Sequence, residues 1–257
     1  MARSIKMTSN RRSVKKIKSI ISGVIAVIVA GLAAIAFMVD GEADGVSDTP
    51  VVEASAPAQA PAAQGSNTQM YRDMLDSLDI KGRAPSTGYE RAHFGKGWLD
   101  DVSVEFGHNG CDTRNDILRR DLLNIEVREN TKDCIITHGT LIDPFSGETI
   151  DFERGERSSE VQIDHLVPLN DAWVKGAQQW DEEKRRNFAN DPDNLMAVKG
   201  SLNQQKGAGD AATWLPPLRS FRCEYAQKII TVKDRYGVWV TAAEATALHQ
   251  QLDTCRV

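Results

Sequence analysis

The sequence predicts an α+β fold: a mostly helical domain with a small antiparallel sheet, placed behind an N-terminal transmembrane helix. Three observations predict it. Apolar residues recur at intervals of three and four in several segments after residue 68, period-two alternation is confined to a few short runs, and residues 20–39 carry no charge.

The N-terminal segments come first because they set the compartment. Residues 1–19 hold Arg3, Lys6, Arg11, Arg12, Lys15, Lys16 and Lys18 with no acid, and read as a basic cytoplasmic segment. Ile20 to Val39 is long enough at about 1.5 Å per residue to span a hydrocarbon core of roughly 30 Å. Basic residues before this run and Asp40, Glu42 and Asp44 after it orient the chain with its C-terminal domain outside. The expectation is a single-pass cell-membrane protein, or a secreted one if the run is a cleaved signal sequence. Residues 40–68, rich in Ala, Pro and acids, read as a disordered linker, which leaves residues 69–257 as one folded domain. The membrane is thus an expected partner, and no obligate protein partner is expected.

The composition, 41% hydrophobic and 26% charged, argues against wholesale disorder and against a multi-pass membrane protein. A formal net charge of -5 suits a protein that lives on nucleic acid poorly, since phosphate neutralisation supplies most non-specific affinity. It suits a hydrolase that releases its product better. Cys111, Cys134, Cys223 and Cys255 read as disulfides in an exported chain, and four cysteines allow three connectivities. Pairing Cys111 with Cys134 and Cys223 with Cys255 is favoured, because each closes a moderate local loop.

Thr68 to Leu78 places Met70, Met74, Leu75 and Leu78 on one helical face, with both methionines expected in the core. Tyr89, Phe94 and Trp98 pin an irregular stretch over Gly82 to Asp100, and His93 and His108 read as exposed or locally bonded. Asp112 or Thr113 caps a helix whose apolar face is Ile117, Leu118 and Leu122, with Leu123 a further candidate. Arg114 in its first turn opposes the helix dipole, so it calls for an anionic partner, a structural Asp or a substrate phosphate. Cys134–Thr137 and Thr149–Phe152 read as paired strands, Glu160–Ile163 as the strand that opens the site, and Asn194–Val198 as another. Asp171 to Phe188 has helical spacing broken near Gly176, with its aromatics in the core. Ser201 reads as the cap of a helix through Lys206, Asp210 as a turn residue, and the last two helices fall in Phe221 to Tyr236 and Ala242 to Leu252.

Chemistry concentrates around Val161-Gln162-Ile163-Asp164-His165. Asp164 and the Asn203 side-chain oxygen are hard donors suited to one divalent ion, Mg²⁺ first with Mn²⁺ or Ca²⁺ as alternatives and Zn²⁺ disfavoured. His165 is suited to take a proton from water, Asn194 to accept the His165 ring N–H, and Lys206 to meet a phosphate. A His at a strand end is as often merely hydrogen-bonded. Arg219 and Arg222 are candidate contacts to a substrate backbone.

Asp164-His165, Asn194, and Asn203 with Lys206 resemble the His-Asn-His (HNH) endonuclease motif, with Asn in place of the last His. The wider pattern covers residues 82 to 255 and includes Gly88–Arg91, Gly110–Arg114, Val161–Leu169, Phe188–Asp191, Asn203–Gly207 and Trp214–Pro217. It resembles exported or membrane-anchored actinobacterial HNH proteins related to the DUF1524 group. The resemblance implies a ββα-metal core inside the helical domain and a divalent-metal endonuclease that cuts DNA, with RNA as an alternative substrate. It implies 5′-phosphate and 3′-hydroxyl products, His165 as base, Asp164 and Asn203 as metal ligands, Asn194 as orienting residue and Lys206 on phosphate. The competing reading is a catalytically weak exported module that binds nucleic acid or cell wall.

Overall fold

The computed structural model describes residues 62–255. The basic segment, the apolar run 20–39 and the linker up to residue 61 lie outside the described residues. Among the described residues no helix is long and apolar enough to cross a membrane.

Helix α1 (Ala62–Ser77) begins inside the stretch read as linker. It buries Leu75 and packs Met74 against the core, but leaves Met70 44% exposed, so only one of the two methionines is a core residue. Asp112 caps α2 (Thr113–Asp121) by accepting from the Asn115 amide. The helix then buries Ile117, Leu118 and, just past its end, Leu122. Leu123 does not join that face: it starts strand β1 (Leu123–Val127) and is 52% exposed. The β1 strand was not anticipated. Its residues Leu123-Asn124-Ile125-Glu126-Val127 alternate apolar and polar, but its pairing with β2 (Ile136–Ile142) has register shifts and Asn124 has a φ of 50°. Strand β3 (Thr149–Glu153) pairs with β2 in regular antiparallel register.

The meander does not continue into the site. A second, two-stranded sheet pairs β4 (Val161–His165) with β5 (Leu195–Lys199), Val161 opposite Lys199 and His165 opposite Leu195. This hairpin lies between two apolar clusters. Val161, Ile163, Leu195 and Ala197 pack with α2 and the three-stranded sheet, whereas Met196 and Val198 pack with the helical core. Between its strands run α3 (Leu169–Trp173) and α4 (Glu182–Asn190), separated at Gly176, whose φ of 128° no branched residue adopts without strain. Helix α5 (Gly200–Lys206) follows β5 directly and is not capped by Ser201. Gly200 is required there, since a Cβ would fall 2.1 Å from the Ser159 carbonyl oxygen. Helices α6 (Arg222–Tyr236) and α7 (Ala242–Leu252) complete the helical core. Disulfides join Cys111 to Cys134 and Cys223 to Cys255, the favoured pairing.

The helical core contains a charge cluster that no local pattern announces. The Lys175 ammonium, fully buried, lies 2.7 Å from Asp171, 2.8 Å from Asp210 and 2.7 Å from Glu244. Lys233 adds ion pairs to Glu244 at 2.9 Å and to Asp171 at 3.3 Å. Asp210 is therefore a buried ion-pair partner as well as a turn residue. Burial works against the charge on Lys175, but Asp171 and Glu244 hold its pKa above the usual lysine value. Removing one partner of such a cluster leaves uncompensated buried charge. Lys175→Met is expected to lose about 3–5 kcal/mol of stability, measured by urea denaturation of the full-length chain at neutral pH.

Candidate functional site

The β4–β5 hairpin and α5 bring the sequence-predicted residues together because strand alternation sends neighbours to opposite faces. Asp164 shares the face of Met196 and Val198, toward α5, and His165 takes the face of Val161 and Ile163. Both still line one cleft of about 580 Å³ at the strand end, with Tyr89, Arg91, Trp98, Arg114 and Asn203.

Lys206 is turned inward. Its ammonium lies 2.9 and 2.7 Å from the two Asp164 carboxylate oxygens and 2.7 Å from the His165 carbonyl oxygen. Asp164 and Lys206 are each 3% exposed. Burial pushes the Asp164 carboxyl up against the pull of Lys206, and pushes the Lys206 ammonium down against the pull of Asp164. The Asn203 amide donates to Gln162 Oε1 at 3.0 Å. These residues do not fit a divalent ion. A lysine already holds both Asp164 oxygens, and among the described residues no group of three or more His, Cys, Asp or Glu side chains is placed to hold a metal. That finding overturns the expected Mg²⁺ site at Asp164 and Asn203, with its Mn²⁺ and Ca²⁺ alternatives. The divalent-metal endonuclease built on it falls as well.

His165 is neutral and held in place. Its Nε2–H donates to the Ala189 carbonyl at 2.9 Å, and its ring stacks on Trp98 with centroids 5.6 Å apart and planes at 12°. Burial first, then the charge of Arg91, lowers its pKa to about 3 against the opposing effect of the Ala189 bond. The expected partner, Asn194, is used elsewhere. Its Oδ1 accepts from the Val167 amide at 2.9 Å and its amide donates to the Phe188 carbonyl at 3.2 Å, which braces the turn after β4.

The cations at the cleft are arginines, Arg91 exposed and Arg114 half-buried. Arg114 stands over the Phe152 ring at 5.7 Å, and its pKa is lowered by burial and then by nearby Arg154. Neither Arg91 nor Arg114 has a hydrogen bond or ion pair from its side chain among the described residues. Every other predicted residue in the cleft is already partnered. Arg219 and Arg222 are not in this cleft; they line another cavity of about 690 Å³ with Ser220 and Gln251, where Arg222 donates to the Pro216 carbonyl. Arg91 and Trp98 line the cleft although the sequence does not mark them as site residues. The available signal was the basic and aromatic alternation in Tyr89-Glu90-Arg91-Ala92-His93-Phe94, which reads equally well as structural pinning.

Residues 112–251 match the family model described as GmrSD restriction endonucleases, C-terminal domain. The chain is also 37% identical over 186 residues to a protein of Arthroderma benhamiae (strain ATCC MYA-4681 / CBS 112371) named "Uncharacterized secreted protein", a match that spans 72% of this chain and 84% of the relative. No solved structure matches the chain.

The lowered pKa of His165 has a defined sign in stability. The unfolded chain binds a proton near the ordinary value of 6.5 and the folded chain only near about 3, so this contribution is complete above 6.5 and is lost as pH falls toward 3. Its share of the slope is roughly 1.4 kcal/mol per pH unit in that window. Urea denaturation of the full-length chain at several pH values is expected to show that slope, and His165→Gln is expected to flatten it.

Proposed function

This chain belongs to the family of GmrSD restriction endonuclease C-terminal domains, and on that premise we propose that it is an exported nucleic-acid-binding module, catalytically weak at most. A domain associated with restriction endonucleases is present, and that association supports a polyanionic nucleic acid as the partner. The observation that carries the reading is the pair of arginines, Arg91 and Arg114, neither with a side-chain hydrogen bond or ion pair among the described residues, at a cleft whose one deep carboxylate is neutralised by Lys206. A phosphate approaching this cleft meets two guanidinium groups and no free carboxylate charge from Asp164. The net charge of -5 opposes general adhesion to a polyanion, so binding depends on this local concentration of arginine.

The hairpin and α5 have the strand, strand, helix order of the ββα core that the HNH and DUF1524 resemblance implies, and we retain that likeness as a scaffold only. The name of the Arthroderma relative, a secreted protein, supports export. On this reading residues 20–39 act as the anchor or signal and residues 69–257 are the exported domain. Arg219 and Arg222 remain secondary candidates for contacts to a nucleic-acid backbone.

The test is fluorescence anisotropy of a labelled oligonucleotide with the full-length chain in mild detergent and EDTA. Arg91→Ala and Arg114→Ala are each expected to weaken binding by about 1 kcal/mol and to reduce the salt slope by roughly one. No binding at low salt, or digestion of the oligonucleotide in Mg²⁺ or Mn²⁺ that EDTA abolishes, would overturn the reading.

A further inference from the structure

We infer that the cleft takes an unpaired nucleotide, with the base on the neutral aromatic floor at Trp98 and the strand's phosphates on an arginine line from Arg91 through Arg114 to Arg154. A single strand is therefore preferred to a duplex. This inference rests on the nucleic-acid-binding reading above and names the substrate class of the same cleft.

The floor and the rim of the cleft differ in charge. At the floor, Asp164 is cancelled by Lys206, and the His165 ring, its Nε2–H committed to the Ala189 carbonyl, is stacked behind the half-buried Trp98 indole. That surface offers π area and little net charge, which suits a nucleobase better than a phosphate. At the rim stand Arg91 and Arg114, and the cationic line continues. Arg154 donates to the Ile136 carbonyl and to the Asn115 side-chain oxygen, both uncharged, and among the described residues no carboxylate lies within ion-pair distance of it. Burial first, then Arg154, lowers the Arg114 pKa against the pull of Asp112, and burial lowers that of Arg154, with Asp112 opposing and Arg128 adding to the shift, so the Asp112 carboxylate is felt at both guanidinium groups. Three arginines whose side-chain hydrogen bonds are absent or go to uncharged groups, set against the one carboxylate of Asp112, leave net positive charge for successive phosphates.

The shape of the cleft decides between strand and duplex. A volume of about 580 Å³ is that of a small-molecule pocket, and Asp164 and His165 at its base are 3% and 7% exposed. A duplex keeps its bases stacked inside and presents phosphates on a broad convex surface, so it meets the rim arginines but cannot deliver a base to Trp98. An unpaired strand can do both. Tyr89, also at the cleft and packed edge-on against Trp173, provides a second aromatic wall.

The experiment compares three labelled probes by anisotropy in EDTA with the full-length chain: an oligothymidylate of about 12 nucleotides, within the site sizes of single-strand binders, an abasic oligonucleotide of equal length, and a duplex of equal length. The single strand is expected to bind about tenfold more tightly than either of the others. Trp98→Ala is expected to bring the oligothymidylate down to the abasic level while leaving the abasic probe unchanged, and Trp98→Phe to recover most of the loss. Arg154→Gln is expected to weaken all three probes and to lower the single-strand salt slope by roughly 0.7. Equal or tighter binding of the duplex, or equal binding of the abasic probe, overturns the inference but leaves nucleic-acid binding standing. Failure of all three probes to bind removes both. The abasic comparison uses unaltered protein, so a folding defect in the Trp98 variants does not blunt the test.

Discussion

The ion pair between Lys206 and Asp164 determines what this cleft is. It joins the last turn of α5 to β4, and the same ammonium takes the His165 carbonyl, so three features converge on one buried cation. A buried charge is tolerated only when paired and hydrogen-bonded, and either residue alone would be costly in this position. With the pair intact, Asp164 is unavailable to a metal and contributes no free negative charge against a phosphate. The same logic repeats deeper in the helical core, where Lys175 and Lys233 neutralise Asp171, Asp210 and Glu244, and Asp171 is felt as far as Lys206. The exposed end of Arg83, 3.3 Å from Asp171 and 3.5 Å from Asp210, brings this buried charge to near balance.

Local patterns carried much of the fold. The spacing of Ala242 to Leu252 is helix α7 to the residue, Asp112 is the cap of α2, the break at Gly176 separates α3 from α4, and the cysteine loops predict the observed disulfides. Each of these rests on a preference that acts within a few residues. The small antiparallel sheet was legible in part: Thr149–Phe152 is in β3, but β2 runs from Ile136 to Ile142 and pairs with β3 through His138–Ile142, beyond the apolar run Cys134–Thr137, and β1 was missed because Leu123 also reads as the end of the α2 apolar face.

The site was legible as a location and not as a set of partnerships. Alternation and the helix spacing bring Asp164, His165, Asn203 and Lys206 to one end of a hairpin. Which group each one bonds is decided over separations of 24 to 42 residues, where a sequence pattern is silent. Lys206 meets Asp164 rather than a phosphate, and His165 meets the Ala189 carbonyl rather than Asn194. Asn203 meets Gln162. A motif fixes residue types at spacings; whether the donors are free to accept a metal depends on a neighbour such as Lys206. Arg91 and Trp98 read in the sequence as a motif residue and a structural aromatic for the converse reason, since they reach this cleft from a loop distant in sequence. The picture that results is a neutral floor under a cationic rim, in a chain whose overall charge is negative.

The closure of Asp164 by Lys206 is tested most directly by titrating Mn²⁺ into the full-length chain and following the relaxation of water protons, in parallel with Asp164→Asn. No stoichiometric site, and indistinguishable curves for the two proteins, is the predicted result. One Mn²⁺ per chain that disappears in Asp164→Asn would contradict the account.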